Sequence, residues 1–178
     1  MPIIGPFFGR AAEAAQLETW LVTERCRVVA LLAIGGMGKT SLAAQIVPTL
    51  AAHFDLVICY RCSMRRHLRS CSAPFPSALS NQQIGSLPQR PEQQLQLFFN
   101  TLQNQRVLLV LDNLESIMQA DQAGHYRAGY EAYEQLLYGM ATQQHQGQLV
   151  LTSREQPAVQ TAGARHGVRA FASSAWAG

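Results

Sequence analysis

The sequence predicts an α/β fold in which a mostly parallel sheet carries helices on both faces. Three observations carry this. The apolar run Val28-Val29-Ala30-Leu31-Leu32 enters a glycine-rich turn and then a helix-like run, Leu42-Ala43-Ala44-Gln45-Ile46-Val47. A second run, Val107-Leu108-Leu109-Val110-Leu111, is apolar throughout and ends in Asp112, the pattern of a buried parallel strand. Segments of helical period separate the strand-like runs, and that alternation argues for a parallel sheet covered on both faces.

A chain of 178 residues is one domain by length. It is long enough to bury a real core. Its net charge of +3 is too small to argue for nucleic acid, which is not expected as a partner. No apolar run approaches the roughly 18–20 residues of a membrane helix, so no membrane is expected either. The start, Met-Pro-Ile-Ile-Gly-Pro-Phe-Phe-Gly-Arg, lacks the basic and apolar regions of a signal peptide. The four cysteines then belong to a reducing compartment, and a cytoplasmic location is expected.

In chain order, residues 11–24 place Leu17, Trp20 and Leu21 on one helical face. A strand at about 27–33 precedes the loop and helix of 34–53, which Pro48 should kink or shorten. Residues 55–60 read as a second buried strand. Residues 61–88, rich in Arg, Ser, Pro and Cys, show no period and read as loop. A helix over 91–104 starts with Pro91 in its first turn. The strand 106–112 follows, then a long helix over 124–145 with Gly139 as its weak point, and a strand at 148–152. After Pro157 the composition shifts to Ala, Gly and Ser. The expected units are an N-terminal segment (1–24), a core (25–156) and an irregular tail (157–178).

The segment Ala33-Ile34-Gly35-Gly36-Met37-Gly38-Lys39-Thr40-Ser41 has the layout of a phosphate-binding loop. Its backbone N–H groups and the following helix N-terminus suit an anionic polyphosphate. Lys39 is placed to reach the β- and γ-phosphates and Thr40 to hold Mg²⁺. Ala33 stands where the pattern has glycine, and it is tolerated there if its φ stays negative. In open α/β sheets the ligand sits at the carboxyl ends of the strands. There Asp112 has the form of an acid that positions Mg²⁺, or else it caps a turn. Arg154 suits bidentate reading of a γ-phosphate, or else it pairs with Glu155 or Asp112. Asn113 cannot act as a general base. Glu115 either orients an attacking water or merely opens the next helix.

With these motifs together, the chain resembles the signalling NTPases with numerous domains (STAND), in particular the NB-ARC group of bacterial proteins that carry repeat arrays. Phe7-Phe8-Gly9-Arg10, with Glu13, resembles the entry motif bordering the adenine and ribose pocket. Ala33–Ala43 resembles the phosphate loop, Leu108–Glu115 the Walker B segment, and Leu149–Glu155 the sensor segment ending in its Arg. The resemblance implies a three-layer P-loop NTPase fold and a switch that holds ADP at rest and exchanges it for ATP. The implied cofactors are ADP/ATP and Mg²⁺. The implied nucleotide contacts are Phe8, Gly9, Arg10 and Ile34 to Ser41. Asp112, Glu115 and Arg154 take the catalytic places. Helical segments and a C-terminal sensor array complete such a switch and would carry protein partners. They are expected beyond residue 178, on a chain cut short. Residues 61–80 lose the family pattern, and the last stretch, from His166, begins like the family's next strand and then loses its apolar pattern. We expect reading-frame slips in the gene at both, which resequencing would test.

Other readings compete. Cys59, Cys62, His67 and Cys71 approach a zinc-knuckle spacing, but incidental thiols in a strand and loop explain them as well. Cys26 between Arg25 and Arg27 is either an activated or a structural thiol. The aromatic stripe Tyr130, Tyr133, Leu137 and Tyr138 reads as core. The leading function is adenine-nucleotide binding with weak or no hydrolysis by the domain alone. The alternatives are a true P-loop ATPase or kinase, and an inactive fragment.

Overall fold

The computed structural model describes residues 9–62, 90–119, 122, 124–157 and 167–171. Phe7, Phe8, His67, Cys71 and most of the 61–88 stretch therefore lie outside the described residues. The predicted α/β fold is present. Five parallel strands run in the order β2-β3-β4-β1-β5. They are β1 (Val28–Leu32), β2 (Leu56–Arg61), β3 (Val107–Asp112), β4 (Gln148–Ser153) and β5 (Val168–Phe171). The helices are α1 (Ala11–Glu18), α2 (Lys39–Ala51), α3 (Pro91–Asn104) and α4 (Glu131–Thr142). A π turn over Thr19–Thr23 extends α1, and a 3₁₀ turn over Leu114–Ile117 follows β3.

Each central strand sends alternate residues to opposite faces. Val28, Ala30, Leu109, Leu111, Leu149 and Leu151 meet Phe98 and Leu102 of α3 and Tyr133, Leu136 and Leu137 of α4. Val29, Leu31, Leu108, Val110 and Val150 meet Leu17 and Leu21 on one side and Leu42, Ala43, Ile46 and Leu50 of α2 on the other. Both faces are apolar, so β1 and β3 read as continuous hydrophobic runs, and β4 does so over Leu149-Val150-Leu151 between buried polar ends.

Several expectations need correction. β2 is not a buried strand: it lies at the sheet edge, with Cys59 and Arg61 exposed. Helix α2 passes through Pro48 to Ala51, because the missing N–H falls in the last turn, where little helix remains to disrupt. The long helix of 124–145 is confined to 131–142. Before it, the chain folds back on the 3₁₀ turn: Met118 and Tyr126 form an antiparallel bridge, and Arg127 Nε donates to the Met118 carbonyl at 2.8 Å. Gly124 and Gly129 have positive φ, which a helix excludes. Gly139 is no weak point. A Cβ there would lie 2.8 Å from Phe99 Cε2, so the absence of a side chain lets α3 and α4 approach. Tyr138 is exposed, while Tyr130 and Tyr133 are buried.

The expected irregular tail contains β5, which extends the sheet beside β1. Its Phe171 ring lies 4.4 Å from Trp20, and Arg169 Nη2 pairs with Glu24 Oε2 at 3.1 Å. Only two of its four residues face other apolar groups, too short for a period, and the resemblance of the stretch from His166 to the family's next strand is what anticipates it. At the other end of β4, Gln148 Nε2 donates to the carbonyls of Leu21 and Cys26 at 2.7 and 2.8 Å, satisfying the end of the π turn.

Arg25 closes that turn in the left-handed region, φ 52°. The amide of Cys26 donates to the Trp20 carbonyl at 2.8 Å, so the geometry is fixed. Left-handed backbone costs an L-residue about 1–2 kcal/mol, and glycine recovers that less its own entropic cost. Arg25→Gly is therefore expected to stabilise the fold by about 0.5–1 kcal/mol, raising Tm by about 1–4 °C. A lower Tm would show that the Arg25 side chain itself holds the turn.

Candidate functional site

The phosphate loop leaves β1 at Ala33 and enters α2 at Lys39. Ala33 has no positive φ, so the alanine in place of glycine carries no strain. Its methyl group packs in the core, and its amide donates to the Ser153 carbonyl at 3.3 Å. Gly36 and Gly38 take the left-handed turns instead, at φ 84° and 80°. A Cβ built on Gly36 would meet nothing within 4 Å, so the loop opens outward. Ile34 is exposed on this loop, while Met37 packs against the core of the α2 face.

Lys39 is only 8 % exposed. Its Nζ donates to the carbonyl of Ala33 and, at 3.0 Å, to that of Ile34. Burial pushes the Lys39 ammonium below its usual pKa. Nearby Glu115 and Asp112 oppose the shift, and Arg154 adds to it. The ammonium is held at the loop mouth by acceptors that a phosphate oxygen can replace.

Asp112, at the end of β3, is 4 % exposed. Its Oδ1 accepts from Thr40 Oγ1 at 2.6 Å and from Thr152 Oγ1 at 2.8 Å. Strand β4 lies between β1 and β3, so Thr152 bridges the gap that this order creates. The same Thr152 Oγ1 accepts the amide of Asn113 at 2.9 Å and pins its left-handed turn, φ 65°. On the other side, exposed Arg61 places Nε 3.5 Å from Asp112 Oδ2. The 148–152 strand is expected from sequence to deliver Thr152 to this edge, but sequence reading joins neither Thr152 nor Arg61 to Asp112. Arg61 is paired in register with Asp112, which becomes visible only once the sheet order is known.

The turn at Asn113 aims Glu115 back across the strand ends. Glu115 Oε1 pairs with Arg154 Nε at 3.1 Å, while Oε2 is buried without a hydrogen-bond partner among the described residues. Arg154 therefore takes Glu115, not Asp112 or Glu155, and it lies over the loop: a Cβ on Gly35 would be 3.2 Å from its guanidinium. The structure thus brings Gly35, Lys39, Thr40, Asp112, Glu115 and Arg154 together at the carboxyl edge of β1, β3 and β4. Ser41 follows Thr40 in the first turn of α2. At the entry motif, Gly9 has φ 97° and Arg10 Nη1 pairs with Glu13 Oε1 at 2.8 Å. Phe8 lies outside the described residues.

A hydroxyl beside a carboxylate oxygen is a donor set suited to Mg²⁺, a hard cation that favours oxygen. Open space over Gly36 and an ammonium at the loop mouth suit the phosphates that would share such an ion. These residues fit both groups.

A family model described as Novel STAND NTPase 1 matches residues 5–174. The chain belongs to this family. The match takes in the 61–80 stretch and most of the tail. An uncharacterized WD repeat-containing protein of Nostoc sp. is 35 % identical over 165 residues, covering 88 % of this chain and 13 % of that protein. The STAND chain thus spans a small part of its relative's length. Among solved structures, Cdc6p from Pyrobaculum aerophilum superposes with a TM-score of 0.63 at 15 % identity, over 96 % of this chain and 48 % of that one. A Walker-type ATPase of Pyrococcus abyssi gives 0.51 at 20 % identity, over 83 % and 45 % of the two chains. At such identities these likenesses establish the fold of the STAND domain alone.

The remaining candidates separate from this site. Burial raises the pKa of the Cys26 thiol, opposing an activated role. Cys59 is exposed and Cys62 buried, and no group of three or more metal-ligating side chains occurs among the described residues. No described helix is long and apolar enough to cross a membrane.

Proposed function

We propose that this STAND domain is an adenine-nucleotide switch element that binds ADP and ATP with Mg²⁺ and turns over slowly or not at all by itself. The carrying observation is the 2.6 Å bond between Thr40 and Asp112, which joins the loop hydroxyl to the β3 carboxylate. In this reading the amides from Ile34 to Ser41 and Lys39 bind the phosphates, and Thr40 and Asp112 hold Mg²⁺. When bound, Mg²⁺ would neutralise charge on the phosphate oxygens. Arg154 reads the γ-phosphate, and Phe8, Gly9 and Arg10 border the base and ribose. Glu115 is the group to orient water, but its pairing with Arg154 holds both away from that work, which supports weak turnover. The STAND family match and the WD-repeat relative support a signalling role, here read as cytoplasmic and of the NB-ARC kind, with protein partners bound through a repeat region.

Titration with fluorescent ADP and ATP, with and without Mg²⁺, tests this. Binding that favours ADP, with little phosphate release, is the expected result. Rapid release would favour an ATPase or kinase, and no binding by folded protein would favour an inactive fragment. Glu115→Gln should free Arg154. The pair is largely exposed on the Arg154 side, so the expected gain in ATP over ADP affinity is about two- to fivefold. Unchanged relative affinity would remove Arg154 from γ-phosphate sensing.

A further inference from the structure

A second polar recess lies at the opposite, amino-terminal edge of the sheet. All strands are parallel, so the residues that precede β1, β3 and β4 share this edge. Arg25, Arg27, Arg106, His145 and Gln148 line a recess of about 140 Å³ there. A water needs about 10–15 Å³ of such space, and sites for larger organic ligands run to roughly 300 Å³ or more. The recess therefore suits a compact ion.

Its charge is unbalanced. None of the three arginines has an ion-pair partner among the described residues. Glu24, the acid next to Arg25 in sequence, pairs with Arg169 at 3.1 Å, and Asp55 accepts the backbone amide of Arg106 at 2.8 Å without forming an ion pair with its guanidinium. Arg27 Nη1 makes a 3.5 Å contact with the Ala141 carbonyl, and the Arg106 guanidinium lies 5.1 Å over the Phe54 ring. Both leave N–H donors over, since each guanidinium has five. The stretch 158–166 that leads to Gly167 beside Arg27 contains no acid to supply the missing charge.

His145 adds an independent sign. Its Nε2 lies 3.1 Å from the Met140 carbonyl, so that nitrogen carries the hydrogen. The other, Nδ1, is buried with no hydrogen-bond partner among the described residues. Burial, the largest cause, lowers the pKa of the imidazole; the bond to the Met140 carbonyl opposes the shift and the charge of Arg27 adds to it. An anion in the recess would offset the charge of Arg27 and let Nδ1 take a proton and donate.

We propose that this recess is a binding site for a phosphate-sized oxyanion, either free phosphate or a phosphate monoester group, held by Arg25, Arg27, Arg106 and His145. It is separate from the nucleotide site, and it stands or falls independently of that reading. Calorimetric titration of the Lys39→Ala protein with inorganic phosphate, at fixed ionic strength, reads the recess with the phosphate loop disabled. Saturable binding is expected, weakened at least about tenfold by Arg25→Gly combined with Arg106→Gln. Glycine suits φ 52°, so Arg25→Gly keeps the fold, and a melting curve checks the pair. The His145 ring protons should titrate at higher pH in phosphate than in chloride. Glycerol 2-phosphate binding as well as phosphate would mark a headgroup site, and phosphate alone a free-ion site. Either supports the proposal. Absence of saturable binding in Lys39→Ala, or binding indifferent to the arginine changes, would overturn it.

Discussion

Lys39→Ala is expected to abolish tight nucleotide binding while the chain stays folded. The ammonium is nearly buried and bonded to the Ala33 and Ile34 carbonyls at the loop mouth. Alanine at the start of α2 has good helix propensity and a buried charge is removed, but the buried Ala33 carbonyl loses its donor. A stability loss of about 1–3 kcal/mol is therefore expected. Binding should change greatly, because bonds from an ammonium to phosphate oxygens are charge-assisted and each contributes about 1.5–3 kcal/mol. Losing two of them weakens Kd by more than about a hundredfold. Fluorescent ADP titration beside a melting curve measures both quantities. Retained affinity in the variant would mean that the loop is not the phosphate cradle.

Asp112→Asn separates metal from nucleotide. The change keeps the shape of a side chain that joins Thr40 and Thr152, but it removes the charge. An amide oxygen still accepts one hydroxyl, while the amide nitrogen brings donors toward Thr40, Thr152 or Arg61. The expected cost in stability is about 1–2 kcal/mol. The functional effect is larger. The gain in ATP affinity on adding Mg²⁺ should disappear, and any phosphate release should fall by at least about a hundredfold. Binding of ADP without Mg²⁺ should persist. If Mg²⁺ still strengthens ATP binding in this variant, the ion is held elsewhere.

The sequence made the sheet and the phosphate loop legible because each is a local pattern. The apolar runs of β1 and β3 and the Leu149-Val150-Leu151 centre of β4 record burial on both faces, and Gly36-Met37-Gly38-Lys39-Thr40 records a turn chemistry. Asp112 and Arg154 were legible as strand-end residues. Their partners were not. Thr152 meets Asp112 only because β4 is inserted between β1 and β3, and Arg61 only through the β2 register. The over-long helix of 124–145 failed for a related reason. Tyr126 and Tyr130 have helical spacing, yet Gly124 and Gly129 turn the chain so that Tyr126 packs beside Met118. Tertiary packing decided that stretch, against its period. β5 offered too few apolar residues for its period to show, and only the family resemblance hinted at a strand after His166.

The strand order also bears on how the molecule comes into being. β1 is synthesised first, but its neighbours β4 and β5 follow more than a hundred residues later. Pairings so distant in sequence form slowly, since long loops must close before they are rewarded. On the ribosome the loop glycines emerge early but have no rigid floor until Gln148 onward has been made. Until β4 docks between β1 and β3, the phosphate loop and Asp112 have nothing to hold them together, so the candidate site forms only after that strand is made.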